Sequence, residues 1–129
     1  MTREIIQTDQ APQAIGPYSQ GVVASGRYVF VSGQVGLDPA TGKLVEGGFE
    51  AQARQVFANL QGVLSAAGVG FADVVKVTVL LQDITDFATL NGIYAEYFTE
   101  QPPARATFGG LQLPAGAAVE IECIAVLED

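Results

Sequence analysis

The stretch from Pro102 to Leu127 constrains the chain most. Pro102 and Pro103 disfavour helix, so the residues that follow must leave the pair in extended form. Beyond a connection rich in Gly and Pro comes A-V-E-I-E-C-I-A-V (118–126), whose apolar residues recur at the two-residue strand period. Val119, Ile121, Cys123, Ala125 and Leu127 fall on one face, and Glu120, Glu122, Ile124 and Val126 on the other. Two closing strands are predicted, the first carrying Arg105 and the second Glu120. A strand–loop–strand unit would bring this guanidinium and carboxylate together. Such a pair either binds an anionic substrate and moves its protons, or is a cross-strand structural pair.

The upstream chain supplies the partners for those strands. Residues 3–7 read as a short strand, and A-P-Q-A-I-G-P-Y-S-Q-G (11–21) as an ordered loop. Tyr18, directly after Gly16-Pro17, either packs locally through its ring and hydroxyl or lines a pocket. Gly21–Ser25 and Arg27–Ser32 flank Ser25-Gly26 in the pattern of a hairpin. Gly33, in Ser32-Gly33-Gln34, serves either a bulge or a close approach of backbone to a ligand. L-D-P-A-T-G-K (37–43) is turn chemistry, with Asp38 as a turn residue.

Helical spacing follows. Phe49, Ala53, Val56, Phe57, Leu60, Val63, Leu64 and Ala67 recur at three and four residues over about five turns, and Gly68 suits the C′ position. Val75, Val77, Val79 and Leu81 then alternate as a strand. Thr85 or Asp86 is placed to cap a second helix whose stripe is Phe87, Leu90, Tyr94, Tyr97 and Phe98. Asn91 is polar within that helix. The order predicts an α+β fold in one domain, residues 1–129, with a mixed sheet and both helices on one face. The other face, partly apolar, needs a partner.

Composition narrows the chemistry. The chain has 129 residues and a net charge of −8, with only six Lys and Arg, which argues against binding a phosphate backbone. There is no histidine and one cysteine, so disulfide frameworks, Cys/His zinc sites, Ser-His-Asp triads and Cys-His dyads are excluded in their usual forms. Charged residues are 16% against a usual figure of roughly 25%, which suggests that another subunit covers part of the surface. Neither a signal-peptide core nor a membrane span is indicated, and the expected compartment is the cytoplasm. Cys123, alternating with Val119, Ile121 and Ala125, reads as core packing.

The motifs I-G-P-Y-S-Q-G (15–21), S-G-Q-V-G-L-D-P-x-T-G (32–42), A-R-Q-V-F-x-N-L (53–60), V-V-K-x-T-V (74–79), D-F-x-x-L-N-x-x-Y-x-x-Y-F (86–98), P-A-R (103–105) and E-I-E-x-I-A (120–125) stand in one order over nearly the whole chain. Together they resemble the RidA family of reactive enamine/imine deaminases, also called the YjgF-type family. The resemblance implies a chorismate-mutase-like fold and a homotrimer with active sites in the clefts between subunits. The implied substrates are short-lived 2-imino and 2-enamino acids, such as those derived from 2-aminoacrylate downstream of pyridoxal-phosphate enzymes. The products are 2-oxo acids and ammonia. No metal and no organic cofactor is implied.

Carried over by position, Arg105 matches the carboxylate-binding arginine and Glu120 the acid that holds or activates water. Tyr18, Ser32 and Gly33 match residues of the pocket. Asn91 matches a family-typical helix position to which no catalytic role attaches. Three departures stand out. Thr107 replaces a frequent Cys, which removes a thiol nucleophile but leaves a backbone N–H able to contact substrate. Gly36 replaces a frequent proline, which is expected to loosen its turn. Gly109-Gly110 replaces larger residues near the cleft, which puts pocket size in question. Two other readings use the same scaffold. A non-catalytic small-molecule-binding or chaperone-like trimer would be indicated by activity independent of Arg105. A ribonuclease is disfavoured by the charge and the missing histidine.

Overall fold

The structure, a computed structural model, describes residues 3–127. Six strands and two helices follow in the order β1 (Arg3–Ile6), β2 (Gly21–Ala24), β3 (Arg27–Val35), α1 (Phe49–Ala66), β4 (Val74–Leu81), α2 (Phe87–Tyr97), β5 (Ala104–Phe108) and β6 (Val119–Leu127). The expected mixed sheet is present as four strands in the order β3-β6-β4-β5, with β4 and β5 parallel and the other pairs antiparallel. The hairpin expected about Ser25-Gly26 is not formed. β2 pairs with β1 as a separate two-stranded ladder, and β3 pairs with β6. Gly26 turns the chain with φ 140°, so the two runs part instead of pairing.

Both helices cover one face of the four-stranded sheet, as the alternation requires. Val77, Val79, Ile121 and Ala125 are fully buried beneath them. α1 packs on β3 and β6 and also against α2. Phe57 of α1 stacks on Tyr97 of α2 with centroids 4.2 Å apart and meets Tyr94, Phe98 and Phe71 edge-on. α1 stops where Gly68 takes φ 81°, while the N–H groups of Gly68 and Val69 bond the carbonyls of Ser65 and Leu64. The cap before α2 differs from expectation. Asp83 caps the short turn Ile84–Asp86 by accepting from the N–H and hydroxyl of Thr85, and Asp86 makes no side-chain cap bond. The opposite sheet face is partly apolar, with Tyr28 and Phe30 exposed beside Glu122 and Ile124.

Polar side chains of α1 fix where β3 ends and β6 begins. Asn59 donates to the carbonyls of Val35 and Leu37 at 3.1 and 2.9 Å, and Gln52 accepts from the N–H of Ala118 at 2.8 Å. Asp38 builds its turn as expected, accepting from Ala40 through its side chain and from Gly42 through its carbonyl. Gly36 does not loosen that turn. A Cβ there would lie 2.9 Å from the Gln52 carbonyl oxygen and 3.0 Å from its Cα, so the missing side chain lets backbone press against α1. At the opposite edge, the Arg3 guanidinium donates to the carbonyls of Ala72, Val74 and Gln101, tying β1 to the segment that enters β5.

Asn59 therefore governs the exit of β3. Asn59→Ala is expected to lower stability by about 1–3 kcal/mol by stripping a partner from the Val35 and Leu37 carbonyls. Thermal melts should show a drop of several degrees. An unchanged Tm would mean that water replaces the amide without cost.

Candidate active site

Arg105 is placed by β5 on the helix-covered side of the sheet. Its register partner on β4 is Val77, which pairs with Cys123 of β6, which pairs with Val31 of β3. The guanidinium is half-buried among side chains from two other segments. Asn91 Oδ1 accepts a hydrogen bond from Nη1 at 2.8 Å. The rings of Tyr94, Tyr18 and Phe87 lie 4.8, 5.2 and 5.5 Å from its Cζ. Burial lowers its pKa from the usual arginine value, partly opposed by Tyr94 and Tyr18. Among the described residues no carboxylate forms an ion pair with it.

Tyr18 reaches this position because its loop is clamped to the entrance of β5. Ser19, buried, donates through its hydroxyl to the Pro102 carbonyl and through its N–H to the Pro103 carbonyl at 3.1 Å. Gln20 gathers the preceding loop by donating to the carbonyls of Thr8, Ala11 and Pro12. The Tyr18 hydroxyl accepts from the Ile15 N–H while its ring faces Arg105, so the tyrosine packs locally and also borders the guanidinium.

Glu120 lies elsewhere. Its register partners are Leu80 and Val35, in a row on the face that the helices do not cover. It stands three positions along the strands and two strands across from Arg105. At ~3.3 Å per residue and ~4.8 Å per strand this separates the Cα atoms by roughly 14 Å. The side chains also point to opposite faces. The expected juxtaposition of Arg105 and Glu120 within one chain is thus not formed, because β4 stands between β5 and β6. A structural Arg105–Glu120 pair is ruled out within the chain by the same geometry.

Ser32 and Gly33 accompany Glu120. They occupy the register shift between Val31 and Gln34 in the β3–β6 ladder, and both are exposed. A methyl group on Gly33 would overlap Oε2 of Glu120, so this glycine serves a bulge and a close approach at once, the approaching group being the chain's own carboxylate. A groove of about 470 Å³ opens beside Gly33, between the turn around Asp38 and the α1 residues Asn59 and Gly62. Two candidate clusters therefore lie apart on the chain. One is cationic and aromatic (Arg105, Tyr18, Phe87, Tyr94, Asn91); the other is acidic (Glu120, Gly33, Ser32).

Thr107 is two residues beyond Arg105 on the same strand. Its Oγ1 is enclosed and lacks a hydrogen-bond partner, so the hydroxyl faces the packing, not an open cleft. The Pro103 carbonyl bonds Ser19 on the side away from β4, and by the strand period the N–H of Thr107 points to that same edge. Cys123 is buried, and that burial pushes its thiol up to about 12, in keeping with packing. Gly109 does not widen the pocket: a Cβ there would meet Ile84 Cβ at 2.6 Å, and Gly110 turns the chain with φ 73°. Phe87, Tyr94 and Asn91 escape sequence reasoning as site residues. Phe87 and Tyr94 read as part of the core stripe and Asn91 as a polar residue reaching a neighbour, a subunit contact or solvent, and only strand β5 placed alongside shows the three about Arg105.

The Endoribonuclease L-PSP family model matches residues 8–127. The chain is 52% identical over 126 residues to the 2-iminobutanoate/2-iminopropanoate deaminase of Bos taurus, covering 98% of this chain and 91% of that protein. Among solved structures, RidA from the Antarctic bacterium Psychrobacter sp. PAMC 21119 superposes with a TM-score of 0.75 at 48% identity, over 96% of this chain and 99% of the other. TdcF of E. coli, solved with bound serine, superposes with a TM-score of 0.73 at 41% identity, over 97% and 99%. The chain belongs to this family, the RidA or YjgF-type family.

The Gly33–Glu120 contact yields a direct test. Gly33→Ala should displace the Glu120 carboxylate, the mobile end of a flexible side chain, while leaving the fold intact. A displacement of about 1 Å in a reacting group can cost on the order of 10²-fold in rate. Any turnover that uses the Glu120 carboxylate should fall by at least tenfold with Tm nearly unchanged. Parental turnover in Gly33→Ala would show that the carboxylate position is immaterial.

Proposed function

We propose that the chain hydrolyses reactive 2-imino acids, and the 2-enamino acids that tautomerise to them, to 2-oxo acids and ammonia. It does so in a homotrimer whose sites lie between subunits. One observation carries this reading: Arg105 is a half-buried cation, boxed by three rings and a neutral amide, that forms no ion pair with any described carboxylate. Planar bidentate recognition of a small carboxylate is what a guanidinium offers and an ammonium does not. The bovine relative is named for 2-iminobutanoate and 2-iminopropanoate, and TdcF was solved with serine; all three are small carboxylates.

The chemistry needs little else. Arg105 fixes the substrate carboxylate, and the adjoining C=N carbon is already electrophilic. Glu120 of the partner subunit takes a proton as water adds to that carbon, giving a tetrahedral carbinolamine. That proton goes to nitrogen to complete the carbinolamine; the hydroxyl proton then follows through the same carboxylate, the C–N bond breaks, and ammonia leaves as the C=O bond forms. A general base that becomes the acid typically contributes about 10²–10⁴-fold. Water, imine and the two side chains balance the reaction. Such a hydrolase clears reactive by-products of pyridoxal-phosphate enzymes, and we assign it to the cytoplasm; no helix among the described residues is long and apolar enough to cross a membrane.

Exposed Tyr28 and Phe30 on the uncovered sheet face support assembly. Sedimentation at micromolar concentration should show a trimer; a stable monomer would remove the inter-subunit site. For turnover, imino acids generated in situ by an amino-acid oxidase are followed through 2-oxo acid release, with semicarbazide trapping residual imine. Arg105→Ala should lower kcat/KM by about 2–5 kcal/mol, or roughly 30-fold to several thousand-fold. Arg105→Lys should recover only part of that loss. Glu120→Gln should keep the trimer and carboxylate binding while removing most turnover. A folded, trimeric Arg105→Ala with near-parental hydrolysis would end the assignment and favour a non-catalytic binding protein.

A further inference from the structure

α2 turns three residues towards Arg105. Phe87, Asn91 and Tyr94 are spaced i, i+4 and i+7, which places them on one helix face. The two rings approach the guanidinium carbon at 5.5 and 4.8 Å, and between them Asn91 Oδ1 accepts from Nη1 at 2.8 Å. Asn91 is thus the polar member of an otherwise aromatic wall. The helix does not need its amide for the core, since Leu90, Ile93 and Tyr94 supply the buried contacts of α2.

We infer that Asn91 is a positioning residue for carboxylate recognition, whose neutral amide orients the Arg105 guanidinium while leaving its positive charge unspent. The inference rests on the carboxylate-binding reading of Arg105 given above. A guanidinium carries five N–H donors in a rigid fork, so one bond to an amide oxygen settles its plane and leaves other donors for a ligand. An apolar residue at 91 would leave Nη1 without an acceptor and let the long side chain sample other rotamers. An acidic residue would grip the fork with a charge-assisted bond roughly twice as strong. It would also cancel the charge, so that an incoming carboxylate meets an ion pair. The geometry favours an acceptor that is strong enough to orient and too weak to neutralise. In a chain of net charge −8, a half-buried cation that no described carboxylate pairs with is a place where an anion can be drawn.

Two near-isosteric ligands separate this role from support of the fold. Calorimetry with 2-oxobutanoate and with its uncharged amide, 2-oxobutanamide, is run on the wild-type trimer, Asn91→Asp and Asn91→Ala, with melting temperature measured beside each. Asn91→Asp should lose affinity for 2-oxobutanoate on the order of 100-fold while its affinity for the amide changes little. Asn91→Ala should weaken 2-oxobutanoate by about tenfold, appearing in turnover as a raised KM at a nearly constant kcat. Equal losses for both ligands in step with a lowered Tm would mark Asn91 as structural and overturn the inference. So would unchanged 2-oxobutanoate binding in both variants. Wild-type protein that takes up no 2-oxobutanoate would overturn the carboxylate-site reading itself, and this inference with it.

Discussion

A guanidinium that gives up half of its water must be met by an anion, by hydrogen-bond acceptors or by the faces of aromatic rings. Among the described residues Arg105 is met by the last two alone, and three distant segments are arranged to do so. The loop before β2 brings Tyr18, and it is ordered because Ser19 bonds the carbonyls of Pro102 and Pro103. α2 brings Phe87, Asn91 and Tyr94, held from behind by the ring cluster around Phe57. β5 brings the arginine itself, pinned in parallel register to β4. Much of the chain's unusual composition, including the paired prolines and the aromatic stripe of α2, lies around this one charge. The desolvation that lowers its pKa is the same effect that would make an added carboxylate bind well: fewer waters compete for the fork.

The strand order then dictates how such a site can be completed. With β4 between β5 and β6, Arg105 and Glu120 sit on opposite faces of one sheet. No side-chain rotation brings them together within one chain. A contact that joins the cationic half of one subunit to the acidic half of the next would be heterologous, the kind that closes into a ring where its rotation closes. A two-fold dimer would need both halves on one self-complementary patch, which opposite faces do not provide. The uncovered face carries Tyr28, Phe30 and Ile124, and Glu120 lies on that same face.

Local rules made most of the fold legible, because they depend on near neighbours. The alternation in β6, the Gly68 terminus and the Asp38 turn lie where their patterns place them; β4 alternates from Val77 to Leu81, but a bulge buries Val74 instead of Val75, and the α1 stripe holds except at Val63, which is exposed. Non-local pairing was not legible. Ser25-Gly26 has hairpin chemistry, yet β3 gains more by lying against the apolar β6 in the sheet centre than against four-residue β2. Asp83 took the cap from Thr85 and Asp86 because a short 3₁₀ turn precedes α2, a detail below the resolution of helical periodicity. The candidate site was legible as a set of residues only through the ordered motifs of the RidA family. Periodicity could separate Glu120 from Ile121, but it could not tell that β4 would lie between it and Arg105.

The three departures from the common family pattern respond to packing more than to chemistry. At Gly36 and Gly109 the absent Cβ lets backbone approach Gln52 and Ile84 closely, so each glycine tightens a contact instead of opening space. Thr107 is different in kind. An enclosed hydroxyl without a partner costs roughly 1–3 kcal/mol, whereas a thiol in that place, a weak donor and weak acceptor, would forgo little. The substitution therefore carries a stability cost with no hydrogen bond in return, and a side chain so enclosed has no path to a ligand over Arg105. What position 107 can offer a substrate is its backbone N–H, directed to the edge of β5 away from β4 and indifferent to whether sulfur or oxygen lies behind it. On that account the change from Cys to Thr alters packing beside Arg105 and leaves the backbone N–H at position 107 as it was.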